Sequence, residues 1–438
     1  MIAERLEDID NTLDSKALNE ENYEEYYVFT KDGRGEDPTS MLVRKLRYQH
    51  GKDLKILFSG FKGCGKSTEL LRLKRELEEE FVIQIFSVRE KLDPNNFSIS
   101  EIIIAMMEEL CLFVNEHLKE VELDTTLLES LNDWAKTIYE EERKDKSHLT
   151  EASAGAGLSF SQLLKVFGKL NYDFKSGRKY SQITKLEERQ TLSDLSQKCN
   201  ALLNDIKSKL DKVNKKNIIF VIEDLEKIDL TTAENLFQNY STQMTDLACS
   251  IIYTFPISLV YNSAYTVIIQ DFDENCTLPM IKVHDKTGKD FPAGIDSIEE
   301  ILDRRIKKDL LPKHLKREFI KYSGGCLRDL FRMVKLASNN ALDNDREHIG
   351  EEDYTYGLNK LKSDYFNTIS YNERTGLSGE EYLKILKDCY NSEDKKPLDV
   401  KGMMDLKHNM CILGYNTDNW FDVHPVVKLI LKDKRMVE

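Results

Sequence analysis

The sequence predicts an α/β fold in which a parallel sheet carries helices on both faces. Residues 54–73 read as an apolar strand, a glycine-rich loop and an amphipathic helix. Further β-rich runs follow at residues 81–88, 218–222 and 249–260, with helical periodicity between them. Strands that alternate with helices form parallel sheets, because the crossover helix returns the chain to the same edge.

The glycine-rich loop, GFKGCGKST, is the most specific motif in the chain. Its glycine and lysine spacing is that of a phosphate-binding loop. Glycines leave room for backbone N–H groups to close around phosphate oxygens, and the helix N-terminus adds unpaired donors. The residues predicted to bind a nucleotide are Gly60, Phe61, Lys62, Gly63, Cys64, Gly65, Lys66, Ser67 and Thr68.

Two side chains of this loop have specific predicted roles. Lys66 is expected to reach the β- and γ-phosphates, and the Ser67 hydroxyl is expected to ligate Mg²⁺. No N/T-K-x-D stretch follows the core strands, which argues against a guanine nucleotide. The predicted cofactors are therefore ATP and Mg²⁺.

Composition limits the function classes. The 438 residues allow two or three domains, and the formal net charge of −14 argues against a surface that binds nucleic acid throughout. Eight scattered cysteines without a C-x-x-C pair suit reduced thiols. The N-terminus lacks a secretory h-region, and the apolar runs are too short to cross a bilayer. We predict a soluble cytoplasmic protein that does not enter a membrane.

Residues 1–50 form a predicted N-terminal lead-in. The run YYVFT at residues 26–30 is consistent with a strand or a loop. It has two interpretations, a core cluster or a segment that packs on adenine, and we favour core. A turn-prone stretch at 31–35 and a helix at 38–49 follow.

Residues 51–296 form the predicted core, with a helical insertion at about 120–216. A helix at 69–80 and a long apolar helix at 97–118 flank the second strand, and ASAGAG at 152–157 reads as a loop. Within the insertion, apolar residues recur every three or four positions. We favour a core helix over a partner-facing seam for this stripe, which comprises Leu195, Cys199, Leu202, Ile206, Leu210 and Val213.

The apolar run at 218–222 ends in two carboxylates, Glu223 and Asp224. Ligands bind at the carboxyl ends of parallel strands in such sheets. One acid is expected to hold Mg²⁺ through water, and one to orient or deprotonate the attacking water. The alternative is a solvated strand end.

The run at 249–260 is a third buried strand, broken by Pro256, and residues 278–283 are predicted to be the last strand of the core. Thr254 lies where the third strand is expected to emerge beside the phosphates. A polar side chain at that point suits a sensor of the γ-phosphate.

Residues 297–361 are predicted to form a helical lid. A helix at 298–310 carries Arg304 and Arg305, and two glycines precede a helix whose first turn carries Arg328. Cations usually favour helix C-termini, so Arg328 at an N-terminus indicates an external anion. The alternative is a surface arginine paired with Asp329 or another acid.

Residues 362–438 are predicted to form a winged-helix-like domain of about three helices and a hairpin with its turn at 416–419. Such domains often bind DNA. This one carries 12 Lys or Arg residues against 13 Asp or Glu, whereas a DNA reader usually has a basic face. We therefore favour protein contact or self-association.

Taken in order, GFKGCGKST, IIFVIEDLEK, IIYTFPISLV and SGGCLRDLFRMV resemble the prokaryotic AAA-family ATPases, specifically the branch related to STAND and origin-recognition ATPases. WFDVHPVV resembles the late segment of many members, so the resemblance covers about residues 23–430. It implies an acidic pair at Glu223 and Asp224, a first sensor at Thr254 and a second at Arg328. It also implies an arginine given in trans, for which Arg304 and Arg305 are the candidates.

One position departs from the family pattern. The Mg²⁺ carboxylate is usually Asp, and here it is Glu223. The extra methylene moves the carboxylate by roughly 1.5 Å, and a misplacement of about 1 Å can cost ~100-fold in rate. We expect either slow hydrolysis or transfer of the metal role to Asp224.

The leading hypothesis is an AAA/STAND-type switch that hydrolyses ATP to ADP. The resemblance implies a homo-oligomer, a separate effector protein, and a role in bacterial signalling or anti-phage defence. The alternative is a DNA-binding initiator or loader that reads DNA with its C-terminal domain. A P-loop kinase would need an acceptor pocket, which no motif marks.

Overall fold

The computed structural model describes residues 2–93, 97–131, 133–134, 185–261, 265–396, 398–415 and 420–438, with only the backbone at 185–191. The predicted loop at 152–157, the hairpin turn at 416–419 and much of the predicted helical insertion lie outside the described residues.

The described residues form a five-stranded parallel sheet in the order β2-β3-β4-β1-β5. The strands are β1 (Lys55–Gly60), β2 (Val82–Ser87), β3 (Ile218–Glu223), β4 (Ser250–Pro256) and β5 (Glu274–Leu278). Strand β4 lies between the strand of the phosphate-binding loop and the strand that ends in the acidic pair. The predicted α/β fold with a parallel sheet is confirmed.

Helices cover both faces of the sheet and form most of the remaining chain. They are α1 (Pro38–Tyr48), α2 (Lys66–Leu77), α3 (Ile99–His117), α4 (Lys185–Lys209), α5 (Leu230–Asn239), α6 (Pro292–Asp303), α7 (Lys313–Ser323), α8 (Leu327–Asp343), α9 (Glu351–Thr368), α10 (Gly379–Asn391), α11 (Met403–His408) and α12 (Pro425–Asp433). A hairpin of β6 (Ile412–Tyr415) and β7 (Trp420–Val423) precedes α12.

Shorter helical turns connect these elements. They are Leu6–Asp8, Ile9–Thr12, Tyr23–Tyr26, Lys31–Arg34, Val88–Lys91, Leu210–Val213, Leu225–Lys227, Ser241–Thr245, Ile257–Val260, Tyr265–Ile268 and Ile269–Asp271. None of the helices among the described residues is long and apolar enough to cross a membrane.

Alternate residues of β1, β2, β3 and β4 point into two hydrophobic clusters, because side chains along a strand face opposite sides of the sheet. Leu57 of β1 packs with α3 and α4, whereas Phe58 packs with α1, α2 and the helices after residue 292. The predicted stripe runs from α4 into the turn Leu210–Val213 and is core along most of its length, since Cys199, Leu202 and Ile206 are fully buried whereas Val213 is only partly buried.

The predicted last strand at residues 278–283 is wrong. The fifth strand is β5, which pairs with β1 and ends at Leu278. The run after it is apolar because it packs under the later helices. Added Cβ atoms on Gly294 and Gly325 would lie 1.7 Å and 1.9 Å from the carbonyl oxygens of Lys282 and Ile281. Burial by a neighbouring layer, rather than pairing in the sheet, explains this hydrophobic run.

Two smaller expectations are also decided. Of the two structures considered for the YYVFT run, residues 27–30 form the loop, and Phe29 is 53% exposed, so the core interpretation is wrong for that residue. The predicted strand at 249–260 ends at Pro256, after which the chain enters the short helix Ile257–Val260.

The C-terminal hairpin and helices pack against the same hydrophobic cluster as the phosphate-binding loop. Phe61, Leu413 and Val427 all belong to that cluster. The Tyr415 hydroxyl donates a hydrogen bond of 2.9 Å to the carbonyl of Gly324, which joins β6 to the turn before α8. The loop, the later helices and the hairpin are therefore in mutual contact.

An unusual cation is buried at this junction. The Lys407 side chain on α11 is 1% exposed, and its ammonium lies 3.7 Å from the ring centroid of Tyr261 and 4.8 Å from that of Phe421. Burial lowers the pKa of Lys407 to about 7. The rings offer cation–π attraction in place of the lost water.

We predict that Lys407 makes stability depend on pH. Its ordinary pKa is 10.5, so the unfolded chain binds more protons than the folded chain between about pH 7 and 10.5, and stability rises with pH across that window. Lys407→Met should flatten this rise and increase the melting temperature at pH 7 by about 2–4 °C. Thermal unfolding at pH 7 and 9 measures both effects.

Exposed Lys432 on α12 is the matched control. Lys432→Met should leave the pH profile as in the unmodified chain. Equal profiles for Lys407→Met and the unmodified chain would contradict the assignment.

Candidate nucleotide-binding site

A cavity of about 770 Å³ opens at the carboxyl edge of the sheet, between the phosphate-binding loop and the start of α8. Its walls come from four parts of the chain that are distant in sequence: the N-terminal segment 11–34, the loop at 63–69, the ends of β2 and β3, and helices α6 and α8 with the residues that follow α6. The volume is that of a typical small-molecule site.

The loop adopts backbone conformations that require its glycines. Gly63 and Gly65 have φ values of 77° and 97°, in the left-handed region that disfavours side chains. A Cβ on Gly63 would also lie 2.8 Å from the Cβ of Arg328 and from the Sγ of Cys326. The N–H of Leu327 donates to the Gly63 carbonyl at 3.1 Å, so the loop touches α8 directly.

Lys66 lies at the base of the cavity with its charge fully paired. Its ammonium donates to the carbonyls of Gly60 and Phe61 at 2.9 Å and 3.1 Å. It also forms an ion pair with Glu226, with Nζ 3.2 Å from Oε1, and both side chains are 5% exposed. Burial disfavours the charged form of both groups, but the attraction between the two charges is stronger. The pKa of Lys66 is therefore raised and the pKa of Glu226 is lowered.

Glu226 was not among the predicted site residues. The sequence signal was its place in EDLEK, three residues after Glu223. In the structure it lies on the short helix Leu225–Lys227, which brings it back toward Lys66. Sequence spacing does not predict that Glu226 approaches Lys66. The approach depends on a turn in which Asp224 has a positive φ of 69°.

Glu223 and Ser67 meet at the predicted metal position. Burial raises the pKa of Glu223 to about 7, while a hydrogen bond with Ser67 acts to lower it. The Oε1 atom of Glu223 is buried and has no hydrogen-bond partner among the described residues. An unpaired buried carboxylate oxygen beside a hydroxyl fits a hard cation, which prefers oxygen ligands.

The described residues contain no cluster of three or more His, Cys, Asp or Glu side chains that suits a metal ion. A magnesium ion here would therefore take its remaining ligands from phosphate oxygens and water. That is the usual way in which Mg²⁺ binds with nucleotides.

Asp224 lines the cavity beside Glu223. Its Oδ2 accepts a hydrogen bond of 2.6 Å from the Ser87 hydroxyl at the end of β2, and its Oδ1 pairs with Lys227. Neither Ser87 nor Lys227 was predicted: Ser87 is brought to the acidic pair by pairing of β2 with β3, and Lys227 by the turn after β3. Together they fix the carboxylate at the strand ends.

Thr254 lies next to the acidic turn but does not line the cavity. Its hydroxyl donates to the carbonyl of Ile222 at 3.2 Å and accepts from the N–H of Leu225 at 3.1 Å. In this arrangement Thr254 fixes the turn that carries Glu226. Its role as a sensor of the γ-phosphate stays a prediction.

Arg328 is half-buried on the first turn of α8 and lines the cavity beside the loop. Among the described residues no carboxylate forms an ion pair with it. The predicted alternative, pairing with Asp329, is not what the structure shows. Asp329 accepts from the Tyr365 hydroxyl at 2.6 Å and lies 3.2 Å from Nε2 of His424. Arg328 is thus available for an anion in the cavity.

The two arginines considered for action in trans are engaged within the chain. Arg304 donates to the carbonyl of Tyr27 at 2.7 Å and pairs with Glu300. Arg305 is buried and lines the chain's own cavity, with its guanidinium 4.6 Å from the ring centroid of Tyr26. This burial argues against Arg305 reaching a second subunit, and Arg304 stays a prediction.

The N-terminal segment forms part of the cavity wall beside the later helices. Tyr26, Tyr27 and Val28 line the cavity together with Ile301 and Phe331. The alternative interpretation of the YYVFT run, contact with the base, is therefore consistent with the position of its tyrosines.

Arg34 attaches this segment to the phosphate-binding loop. The buried guanidinium donates to the carbonyl of Cys64 at 2.6 Å, to the Thr30 hydroxyl at 2.8 Å, and to the carbonyl of Pro279. Sequence reasoning assigned only a turn to this stretch. Two of the acceptors of Arg34 are backbone carbonyls, so no acidic residue in the sequence marks its contacts.

Lys62 connects the loop to the C-terminal region. Its ammonium lies 2.9 Å from Nε2 of His408 on α11. Burial lowers the pKa of Lys62 to about 8 and that of His408 to about 4, so the histidine is the neutral acceptor. The phosphate-binding loop therefore contacts both α8 and α11.

The family model of the KAP family P-loop domain matches residues 40–242. No curated protein matches the sequence. The match and the parallel sheet together show an α/β fold with a P-loop NTPase core, followed by helices and a small two-stranded sheet.

Three solved structures illustrate the distant similarity in fold. Cdc6p from Pyrobaculum aerophilum is 9% identical, with a TM-score of 0.41 and 97% and 98% of the two chains covered. The Aeropyrum pernix ORC2 protein is 11% identical, with a TM-score of 0.39 and coverage of 96% and 99%. The Thermotoga maritima RuvB Holliday junction branch migration motor is 11% identical, with a TM-score of 0.35 and coverage of 97% and 98%. At these scores the likeness carries no functional argument.

We predict that Glu223→Gln removes the effect of Mg²⁺ on nucleotide binding. The amide keeps the shape of the side chain but is a much poorer cation ligand, so the Mg²⁺-dependent gain in affinity should fall by roughly tenfold or more. Calorimetric titration with ATP, in EDTA and in Mg²⁺, measures that gain.

Glu90→Gln is the control, since Glu90 lines the same cavity but lies on the short helix after β2 rather than at the end of β3. It should retain the full gain from Mg²⁺. An undiminished gain in Glu223→Gln would move the metal position to Asp224.

Proposed function

We propose that this chain binds ATP, hydrolyses it to ADP, and acts as a nucleotide-controlled switch. One observation carries the proposal. A single cavity brings together the phosphate-binding loop, the acidic end of β3 and an arginine of α8 that has no acidic partner among the described residues. Cations and backbone donors on one side, with carboxylates on the other, suit a metal-bound polyphosphate.

The phosphate end has a defined set of contacts in this proposal. The N–H groups of the loop and the Lys66 ammonium bind the phosphates, and Arg328 neutralises the terminal phosphate from the lid. Ser67 and Glu223 hold Mg²⁺, whose charge offsets that of the phosphates. The unpaired Oε1 of Glu223 supports this assignment.

The base end is formed by the N-terminal segment. Tyr26, Tyr27 and Val28 line it together with Ile301 and Phe331, so this end of the cavity has aromatic and apolar surface. A flat ring that lies against such surface buries apolar area. We assign this end to adenine.

Hydrolysis is assigned to Asp224. The Ser87 hydroxyl and Lys227 hold its carboxylate at the strand ends, where it lines the cavity. A fixed carboxylate orients an attacking water and accepts its proton. Because Glu223 is longer than aspartate by one methylene, we propose slow turnover, as suits a switch.

The contacts around the loop offer a route from the nucleotide to the rest of the chain. Gly63 is bonded to the N–H of Leu327, and Lys62 contacts His408. Asp329, next to Arg328, contacts Tyr365 on α9 and His424, which caps α12. A change at the γ-phosphate would therefore reach the lid and the C-terminal helices together.

We extend the proposal to the domain division 1–50, 51–296, 297–361 and 362–438, with the last two parts as lid and output unit. The output is a self-association or a contact with a separate effector protein. Bacterial anti-phage defence is one setting that the family resemblance suggests for such a switch.

We predict that Asp224→Asn separates hydrolysis from binding. The amide keeps the shape of the side chain and one acceptor oxygen but does not accept a proton, so the turnover rate should fall by about 100-fold or more while ATP affinity is retained. Lys66→Ala, which removes the phosphate-binding cation, should abolish retention of ATP. Phosphate release and equilibrium binding of labelled ATP measure the two effects.

Undiminished turnover in Asp224→Asn would move the catalytic role to Glu223 or Glu226. Unchanged ATP affinity in Lys66→Ala would contradict the nucleotide site itself.

We predict that Arg328→Ala reduces the difference between ATP and ADP. The guanidinium is placed for a terminal phosphate, so its loss should weaken ATP binding by roughly tenfold and ADP binding much less. Competition binding with both nucleotides measures this difference.

Arg332→Ala, one turn further along α8, is the control because Arg332 pairs with Asp364 instead. Equal weakening of ATP and ADP in Arg328→Ala would exclude the sensor role.

A further inference from the structure

The ammonium of Lys66 has no free donor in this structure. A lysine ammonium carries three N–H donors. The acceptors around it are also three: the carbonyls of Gly60 and Phe61 and the carboxylate of Glu226. A phosphate that binds Lys66 must therefore displace one of them.

The three acceptors differ in how easily they are displaced. The carbonyls belong to the end of β1 and the loop itself, whose backbone is fixed by parallel pairing of Gly60 with β4 and β5. Glu226 is a side chain on a short turn. It is also the acceptor that competes directly with phosphate, because both are anions.

Glu226 itself is not saturated. Its Oε2 is buried and has no hydrogen-bond partner among the described residues, although the side chain is 5% exposed and lines the cavity. A buried unpaired carboxylate oxygen is costly. The Thr254 hydroxyl holds the turn beneath it through the N–H of Leu225, so the carboxylate is kept against Lys66.

We propose that Glu226 is an internal competitor of the nucleotide phosphates. Its carboxylate binds Lys66 in the nucleotide-free chain and is displaced when the β- and γ-phosphates bind. This inference rests on the proposed nucleotide site and adds its regulation: part of the phosphate binding energy is used to exchange one anion for another on Lys66.

The exchange favours a triphosphate over a diphosphate. A γ-phosphate brings more negative charge to Lys66 and so replaces the carboxylate more completely. When a diphosphate binds, Glu226 still competes for Lys66. Glu226 therefore raises the nucleotide concentration needed to fill the site and increases the difference in affinity between ATP and ADP.

The test compares two substitutions that weaken the Glu226–Lys66 pair in different ways. Glu226→Gln removes the charge, and Glu226→Asp keeps the charge but is too short by one methylene to reach Lys66 equally well. ATP and ADP affinities of the full chain are measured in EDTA, so that no metal ion contributes. Glu223→Gln in the same buffer removes a nearby charge that does not pair with Lys66 in the structure.

We expect both substitutions at Glu226 to tighten ATP binding, by roughly tenfold for Glu226→Gln. The gain should be larger for Glu226→Gln than for Glu223→Gln, and the ratio of ATP to ADP affinity should decrease in both Glu226 variants. Tighter binding by Glu226→Asp is the decisive result, since loss of charge is not available as its explanation.

Unchanged or weaker ATP binding by Glu226→Asp, while the unmodified chain binds ATP, would overturn the competitor role and leave the nucleotide site intact. Equal tightening by Glu223→Gln and Glu226→Gln would overturn it too, because the effect would then be general repulsion. Failure of the unmodified chain and all variants to bind ATP would instead contradict the proposed function, and this inference with it. Circular dichroism of each variant verifies folding.

Discussion

A buried positive charge at Lys66 is the constraint on which the site depends. The ammonium is buried beneath the loop. It therefore needs hydrogen-bond acceptors whether or not a phosphate is bound, because an unpaired buried cation is unstable. Loop carbonyls and Glu226 supply them in this structure. The turn after β3 places Glu226 against Lys66. In this turn Asp224 has a left-handed conformation, and the Thr254 hydroxyl accepts from the N–H of Leu225.

The same loop contacts three other regions of the chain. Arg34 attaches the N-terminal segment to it, Leu327 bonds to Gly63, and Lys62 contacts His408. Each contact uses a different residue of one short segment. A ligand that moves this segment by a small amount would therefore alter contacts with three regions at once, which is the physical requirement for a switch.

The C-terminal region packs on an apolar cluster, and its buried charges and rings specify position rather than add stability. Lys407 lies between Tyr261 and Phe421, and Asp422 is bonded to Lys428. Cation–π contacts and ion pairs are stronger when they are shielded from water, and both require close contact between the groups. They give this region a defined position against the loop, and they also give it groups that respond to pH.

The sequence by itself determined the parallel sheet, the loop and the acidic strand end, because periodicity and glycine spacing act over a few neighbouring residues. It misplaced the last strand, since burial under the later helices makes residues 279–283 as apolar as a strand. Only the tertiary structure brought Glu226, Arg34 and Ser87 to the site. Their partners are distant in the chain or reached through a turn, so strand order and backbone conformation, rather than local pattern, decide those contacts.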